Sequence, residues 1–380
     1  MALFSEIFGS KPSGKRLQRI QQSQNYDRER AVFQNRRPEL IRNMNKDMKV
    51  VDMAREWFKK EEGRRPERPL PQVRPDLDAF AKASDFVKVI WFGHSTLLMN
   101  IRGQNVLVDP VFSNSASPVN FMVKRFQPPV LPLEELPAID MVLISHDHYD
   151  HLDMETVKFF RGKDTRFTVP LGVGSHLNSW GIEPERVREL DWWQSFKWSG
   201  IEFTATPAQH FSGRGLTDRD KTLWASWVIR THDQSIFYSG DSGYDIHFKE
   251  IGQRFGPFDL AFIENGQYNE RWHPVHMLPE ESAMAAEDLN TSLVFPIHWG
   301  MFELAFHKWY EPVVDLARHS MNASYELVTP KIGQIVQMGV DSGHPESWWM
   351  AHGASIEIAE SSRKVGPSSE GIIQSASVLD

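Results

Sequence analysis

The stretch Ile139-Asp140-Met141-Val142-Leu143-Ile144-Ser145-His146-Asp147-His148-Tyr149-Asp150-His151-Leu152-Asp153 decides how this chain is read. Its first part is a short apolar run of the kind that fills a buried β-strand. Its second part releases three imidazoles and three carboxylates within nine residues, where the strand meets a loop. His146 and His148 alternate and can reach one ion, while Asp150 and His151 turn towards a second. A plain solvated loop would need only a helix cap, and Asp153 suits that role before a helix over Met154–Arg161. It does not account for the titratable groups that precede it, which an ion would organise.

Composition narrows the chemistry. At 380 residues and 41% hydrophobic content, the chain can bury one large core or two modest ones. It contains no cysteine, which excludes disulfides, thiolate nucleophiles and Cys-ligated zinc, so a metal would be held by His and carboxylate alone. No segment approaches a membrane span, and Met1–Phe8 lacks the basic lead and apolar core of a signal peptide. The expected setting is therefore the cytoplasm. Residues 1–70 hold 17 Lys/Arg against 10 Asp/Glu, a balance of +7, so the remainder carries −15 of the chain's total of −8. Such an arm either touches an anionic surface or folds onto the acidic body, and its admixture of acids favours the second.

Along the chain, Pro12-Ser13-Gly14 reads as a turn, Met48–Lys60 as the clearest helix of the N-terminal extension, and Arg64–Pro71 as an extended linker. From Phe86 onward strands are expected at 87–92, 95–101, 105–108, 141–144, 167–169, 201–205, 223–230, 235–239, 260–264 and 292–296. Helical patterns fall at 154–161, 170–180, 247–255, 279–289 and 311–319. The divisions are an extension and linker at 1–85, one domain at 86–340, and a Ser-rich tail at 341–380. Hairpins followed by strand–helix alternation in two halves suggest two packed sheets flanked by helices.

Three later strands also end in metal-ligand residues. Thr204-Ala205-Thr206-Pro207-Ala208-Gln209-His210 delivers one imidazole, and Val294-Phe295-Pro296-Ile297-His298 another. Ile236-Phe237-Tyr238-Ser239-Gly240-Asp241-Ser242-Gly243 delivers a carboxylate between glycines that permit a tight turn and close backbone approach. Singly, each His is better explained by a satisfied core position. Together, after His-x-His-x-Asp-His, they form a pattern.

That order resembles the metallo-β-lactamase superfamily, over about Phe86 to Met338. Trp91–Thr96, Val108–Ser113, Ala208–Ser212 and Phe255–Leu260 are similar to its N-acyl-phosphatidylethanolamine phospholipase D branch, which is related to the ascorbate-6-phosphate lactonases. The resemblance implies an α/β fold, an αββα sandwich carrying an N-terminal extension. It places His146, His148 and His210 on a first metal and Asp150, His151 and His298 on a second, with Asp241 bridging. It also implies two zinc ions, with manganese or ferrous iron as alternatives. Position 148 is His where the oxygen-reducing di-iron branch has Glu, which favours hydrolysis.

Two zinc ions about 3.5–4 Å apart share a hydroxide that is nucleophilic at neutral pH, and they take up charge from a phosphate or carbonyl. Asp150 would orient that hydroxide. Asp109 is a turn residue or a partner for a ligand imidazole. His94 points into the site or fills a polar core niche. His276 caps the following helix or, by resemblance, donates a proton or binds the scissile phosphate. Tyr149, Tyr244 and Trp299 flank ligands and line the pocket or simply pack; His344 and His352 read as surface residues.

The expected activity is hydrolysis of a phosphodiester, best matched by an N-acyl-phosphatidylethanolamine-like phospholipid, with reversible contact at the inner face of the membrane. A lactone or small cyclic phosphodiester is the alternative substrate, and a non-catalytic metal-binding protein the alternative class. A nucleic-acid partner is not expected, because the body is acidic.

Overall fold

The computed structural model describes residues 6–47, 56, 59, 62–82, 84–339 and 347–350. Alternation builds its layers. In β3 (Lys88–Trp91), Val89 and Trp91 face one way and Ile90 the other; in β4 (Leu97–Ile101), Leu97 and Met99 oppose Leu98. β5 (Gln104–Val108), β6 (Met141–Leu143), β7 (Arg166–Pro170), β8 (Val187–Leu190) and β16 (Ile335–Gln337) complete a seven-stranded sheet in the order β16-β3-β4-β5-β6-β7-β8. The second sheet runs β15-β14-β13-β12-β11-β10-β9. Its strands are β9 (Ser195–Trp198), β10 (Ile201–Thr206), β11 (Ser226–Arg230), β12 (Ser235–Tyr238), β13 (Leu260–Glu264), β14 (Leu293–Ile297) and β15 (Glu326–Leu327).

Three apolar layers follow from this period of two. Between the sheets, Val89, Trp91, Met99, Val108 and Leu143 meet Phe203, Trp227, Tyr238, Phe262 and Phe295. On the outer face of the first sheet, Ile90, Leu98, Leu107 and Val142 pack against α4 (Met154–Phe159) and α5 (Gly174–Ser179) through Val157 and Leu177. On the outer face of the second, Val228, Phe237, Ala261 and Ile263 meet α6 (His247–Phe255) and α7 (Pro279–Leu289) through Phe248, Ile251 and Ala285. The result is the expected αββα sandwich. Asp153 caps α4 by accepting from Glu155 N.

The N-terminal extension is folded onto this body. α1 (Gly14–Ile20), the hairpin β1–β2 (Tyr26–Asp27 with Val32–Phe33) and α2 (Pro38–Asp47) precede the short α3 (Leu77–Ala81). Ile20 and Phe33 are buried with the inter-sheet core. Basic residues of the arm pair with acids of the body: Arg16 with Glu189 at 2.8 Å, Arg36 with Glu250 at 2.7 Å and Arg37 with Asp245 at 3.4 Å. Of the two uses considered for the basic arm, the structure therefore displays the intramolecular one. The Arg64–Pro71 linker is extended but docked, since Gln127 takes both the N–H and the carbonyl of Leu70.

Several boundaries differ from expectation. The strand expected from Leu223 begins at Ser226, because Leu223 N and Ala225 N donate across to Leu171 and Ser145 in the other half of the sandwich. The helix expected from Pro170 begins at Gly174, because Pro170 ends β7. β8, β9, β15 and β16 were not anticipated. The helix expected around Met48–Lys60 lies, apart from Glu56 and Lys59, outside the described residues, as do His344 and His352. No helix among the described residues is long and apolar enough to cross a membrane.

The division at residue 340 cuts through packed structure. Trp348 stacks on Trp299 and Trp309, and Trp349 meets Trp299 edge-on with its own ring buried. Trp349→Ala should therefore cost about 3–5 kcal/mol of stability, the range for emptying a buried aromatic site. Denaturant unfolding checks it; a loss under 1 kcal/mol would contradict the packing.

Candidate metal centre

β6, β10, β12 and β14 all end at one edge of the sandwich, and each hands a ligand-type residue to the loop that follows. Gly240 makes the close approach possible. Its φ is +57°, and a Cβ there would lie 2.7 Å from Ser145 Cβ. Two four-residue groups result: His146, His148, His210 and Asp241, and beside it His94, Asp150, His151 and His298.

Asp241 Oδ2 joins them. It lies 3.7 Å from His146 Nε2 and from His210 Nε2, 3.1 Å from His151 Nε2 and 3.2 Å from His298 Nε2. His148 enters by Nδ1, 2.9 Å from His146 Nε2 and 3.2 Å from His210 Nε2. Asp150 Oδ2 lies 3.3 Å from His298 Nε2 and 3.5 Å from His151 Nε2. Ligands about 2.0–2.2 Å from a tetrahedral ion stand about 3.3–3.6 Å apart, and these spacings lie on either side of that edge length. Among the described residues the buried His151 Nε2 and Asp241 Oδ1 have no hydrogen-bond partner, another sign that the donors fit a cation.

The outward nitrogens of the imidazoles are fixed. His146 Nδ1 meets Ser145 Oγ at 2.9 Å, His151 Nδ1 meets Asp109 Oδ2 at 2.7 Å, His210 Nδ1 meets the Val275 carbonyl at 3.1 Å and His298 Nδ1 the Gly266 carbonyl at 3.2 Å. These contacts select the tautomer that leaves Nε2 free for an ion. Asp109 is thus the partner of His151, a candidate ligand, and it also accepts from Ser145 and Tyr238. His94 points into the site, with Nε2 3.0 Å from Asp150 Oδ2 and its ring over His298.

The groups differ in charge. Burial holds His146, His148 and His210 below the usual imidazole range, so they offer lone pairs. Burial also opposes charge on His151 and His298, but Asp241 and Asp150 overcome it. His151 is raised well above its ordinary value and His298 is pushed up to about 10. Asp150 and Asp241, despite burial, are held well below the carboxylate range by these imidazoles.

His276 lies on the open side, stacked on His298 and edge-on to His210. Its Nδ1 meets Glu264 Oε1 at 2.8 Å, so it faces the centre rather than capping α7. Glu264 also accepts from Ser242 N and Met277 N, and burial raises its pKa. Tyr149 borders an opening beside the ligand loop. Tyr244 instead donates to Asp288, and Trp299 belongs to the inter-sheet core.

Residues not anticipated from sequence include Glu264, Arg214, His176 and Asn35. Arg214 is buried and donates to the carbonyls of Asp147 and Leu152, clamping the ligand loop. A charged residue at a strand's end, as at Glu264, was a usable signal; Arg214 and Asn35 carried none.

Residues 104–299 match the beta-lactamase superfamily domain. An N-acyl-phosphatidylethanolamine-hydrolyzing phospholipase D of Caenorhabditis elegans is 34% identical over 311 residues, covering 77% of this chain and 83% of that protein. The chain belongs to the metallo-β-lactamase superfamily, in its N-acyl-phosphatidylethanolamine phospholipase D-like branch. An uncharacterized protein of Mycobacterium tuberculosis is 43% identical over 291 residues, 75% of this chain and 77% of that one. The metallo hydrolase Igni18 of Ignicoccus hospitalis shares the metallo-β-lactamase fold at a TM-score of 0.53 and 20% identity, over 66% of this chain and 97% of its own.

A cation held by His151 and His298 would have to displace the protons that Asp150 and Asp241 favour on them. Affinity for a divalent ion should therefore rise with pH from the acid side through neutrality, with about one to two protons released. Calorimetry in two buffers of different protonation enthalpy measures this; pH-independent binding without proton release would contradict the charge assignment.

Proposed function

We propose that this metal-dependent hydrolase holds two zinc-class ions and opens a phosphodiester, with an N-acyl-phosphatidylethanolamine-like phospholipid as substrate. The observation that carries the two-ion reading is Asp241 Oδ2, placed within 3.1–3.7 Å of Nε2 atoms from both ligand groups. His146, His148 and His210 would hold one ion, Asp150, His151 and His298 the other, and Asp241 both. The nitrogen- and oxygen-only donor set suits zinc, and manganese or ferrous iron remain the comparison metals. Bound there, the ions would supply hydroxide at neutral pH and a sink for charge on phosphate oxygens.

The protein's own groups divide the remaining work. Asp150 orients the attacking water. His276, held through Nδ1 by Glu264, keeps its other nitrogen for the proton that the leaving alkoxide needs. Hydroxide formed from that water would attack phosphorus, the P–O bond to the leaving alcohol would break, and the alkoxide would depart as the alcohol with the proton from His276.

The C. elegans relative supports the substrate class, and so do exposed apolar side chains on two loops. Phe121, Met122 and Leu216 are 76%, 44% and 104% exposed. The opening of about 540 Å³ bordered by Val119, Met154, Tyr149 and Arg214 lies on the same loops. A lipid surface would receive such side chains reversibly, without an anchor.

Elemental analysis should give two ions per chain, and Asp241→Asn should retain the fold, lose metal and lose turnover. His276→Asn should lower kcat about 10²–10⁴-fold with KM little changed. Assayed against N-acyl phospholipids, p-nitrophenyl phosphodiesters and lactones, the wild type should favour the first. Preference for lactones, or full activity in Asp241→Asn, would overturn the reading.

Sedimentation with anionic liposomes should be lost when Phe121, Met122 and Leu216 are together replaced by Ser. Failure of the wild type to bind at low salt would remove the membrane contact and leave the hydrolase.

A further inference from the structure

We propose that the N-terminal segment is a working part of the metal centre, in which Asn35 is the positioning residue for His210. His210 is fully buried just beyond the end of β10, where it has left the sheet's hydrogen-bond ladder. Both of its backbone polar groups go to one side chain. Asn35 Nδ2 donates to the His210 carbonyl at 2.6 Å, and Asn35 Oδ1 accepts from His210 N at 3.0 Å. The amide stands 175 residues away in sequence and is itself buried. Trp224 Nε1, 3.2 Å from Oδ1, fixes which end of the amide is the oxygen.

The pairing is specific to Asn. A carboxamide presents a donor and an acceptor side by side, which is what the N–H and C=O of one residue with no strand partner require. Without it, two buried backbone groups would be left unpaired beside a ligand whose ring is already held at the Val275 carbonyl. The His210 main chain would then be free to shift by the few tenths of an ångström that metal geometry does not forgive.

A second tie leads to the same ligand group. Ser10 N donates to His176 Nδ1 at 3.1 Å, and His176 Nε2 lies 3.2 Å from Asp147 Oδ2, between His146 and His148. The segment thus reaches this group directly at His210 and, through His176, at Asp147 between the other two histidines, from residues well before the matched superfamily domain at 104–299.

This proposal rests on the two-ion reading of the centre, and the test separates them. Full-length protein is loaded with Zn²⁺ or Co²⁺ alone and titrated with a competing chelator. Asn35→Ala should weaken one of the two ions about 10–100-fold, the range for losing an outer partner of a ligand, and leave the other unchanged. The visible bands of the Co²⁺ form should shift. If Asn35→Ala fails to fold, Asn35→Asp keeps the shape and the acceptor but turns an anionic oxygen on the His210 carbonyl, and should shift the same bands.

Arg36→Ala cuts the neighbouring pair with Glu250 without touching His210, and should keep both affinities even if Tm falls. Wild-type affinities and spectra in both Asn35 variants would overturn the proposal. So would an equal one-ion loss in Arg36→Ala, which would reduce Asn35 to general anchoring. A wild type that never holds two ions would remove the two-ion reading and this proposal together.

Discussion

The carboxylate of Asp109 is the constraint on which the centre depends. It is fully buried, and a buried carboxylate persists only if its lone pairs are filled. The donors come from different parts of the molecule: Ser145 N and Oγ at the end of β6, His151 Nδ1 in the ligand loop and Tyr238 OH on the opposite sheet. One charge thereby fixes the spacing of the two sheets at the site, the start of the ligand loop and the tautomer of one imidazole. Ser145 passes the constraint on, since its hydroxyl also meets His146 Nδ1. Each ligand group is thus tied to the same anion.

Electrostatics then separates positions that sequence spacing treats alike. His146, His148, His151, His210 and His298 converge within a few ångströms, yet only His151 and His298 are held protonated in the absence of a cation, because they face Asp150 and Asp241. In the others, burial outweighs the attraction of Asp241 and the neighbouring carboxylates. The protein therefore keeps its carboxylates compensated before any ion arrives, which limits the repulsion that would otherwise open the edge of the sandwich.

Much of this architecture was legible in the residues because its signals are local. Strands such as Lys88–Trp91 and Leu260–Glu264 are apolar on both faces and bounded by turns, and ligand residues follow strand ends at short range. β9, Ser195–Trp198, was missed because it is an edge strand with alternate residues exposed and a Lys within it, so its pattern is that of a loop. That the basic arm folds onto the body followed from its mixed charge, but the particular contacts it makes, and the docking of Trp348 and Trp349, were not legible for another reason. Those contacts join positions far apart in the chain, and no periodicity announces which distant surface will receive an Arg, an Asn or a Trp. Tyr244 and Trp299 show the converse: proximity to a ligand in sequence places a side chain at the site only if the pleat turns it that way.

Three residues around the site, His94, Asp109 and His298, have φ of +53°, +39° and +68°, in the left-handed region that side chains other than Gly and Asn seldom occupy. The backbone at these places would be more comfortable with a residue that has no chemistry to offer. Any substitution there changes two quantities at once, the ligand or partner and the local conformational energy, and a glycine moves them in opposite directions. Mutation chosen for stability alone would therefore tend to erase the centre at these positions, so the chain holds local backbone strain at the places where it offers chemistry.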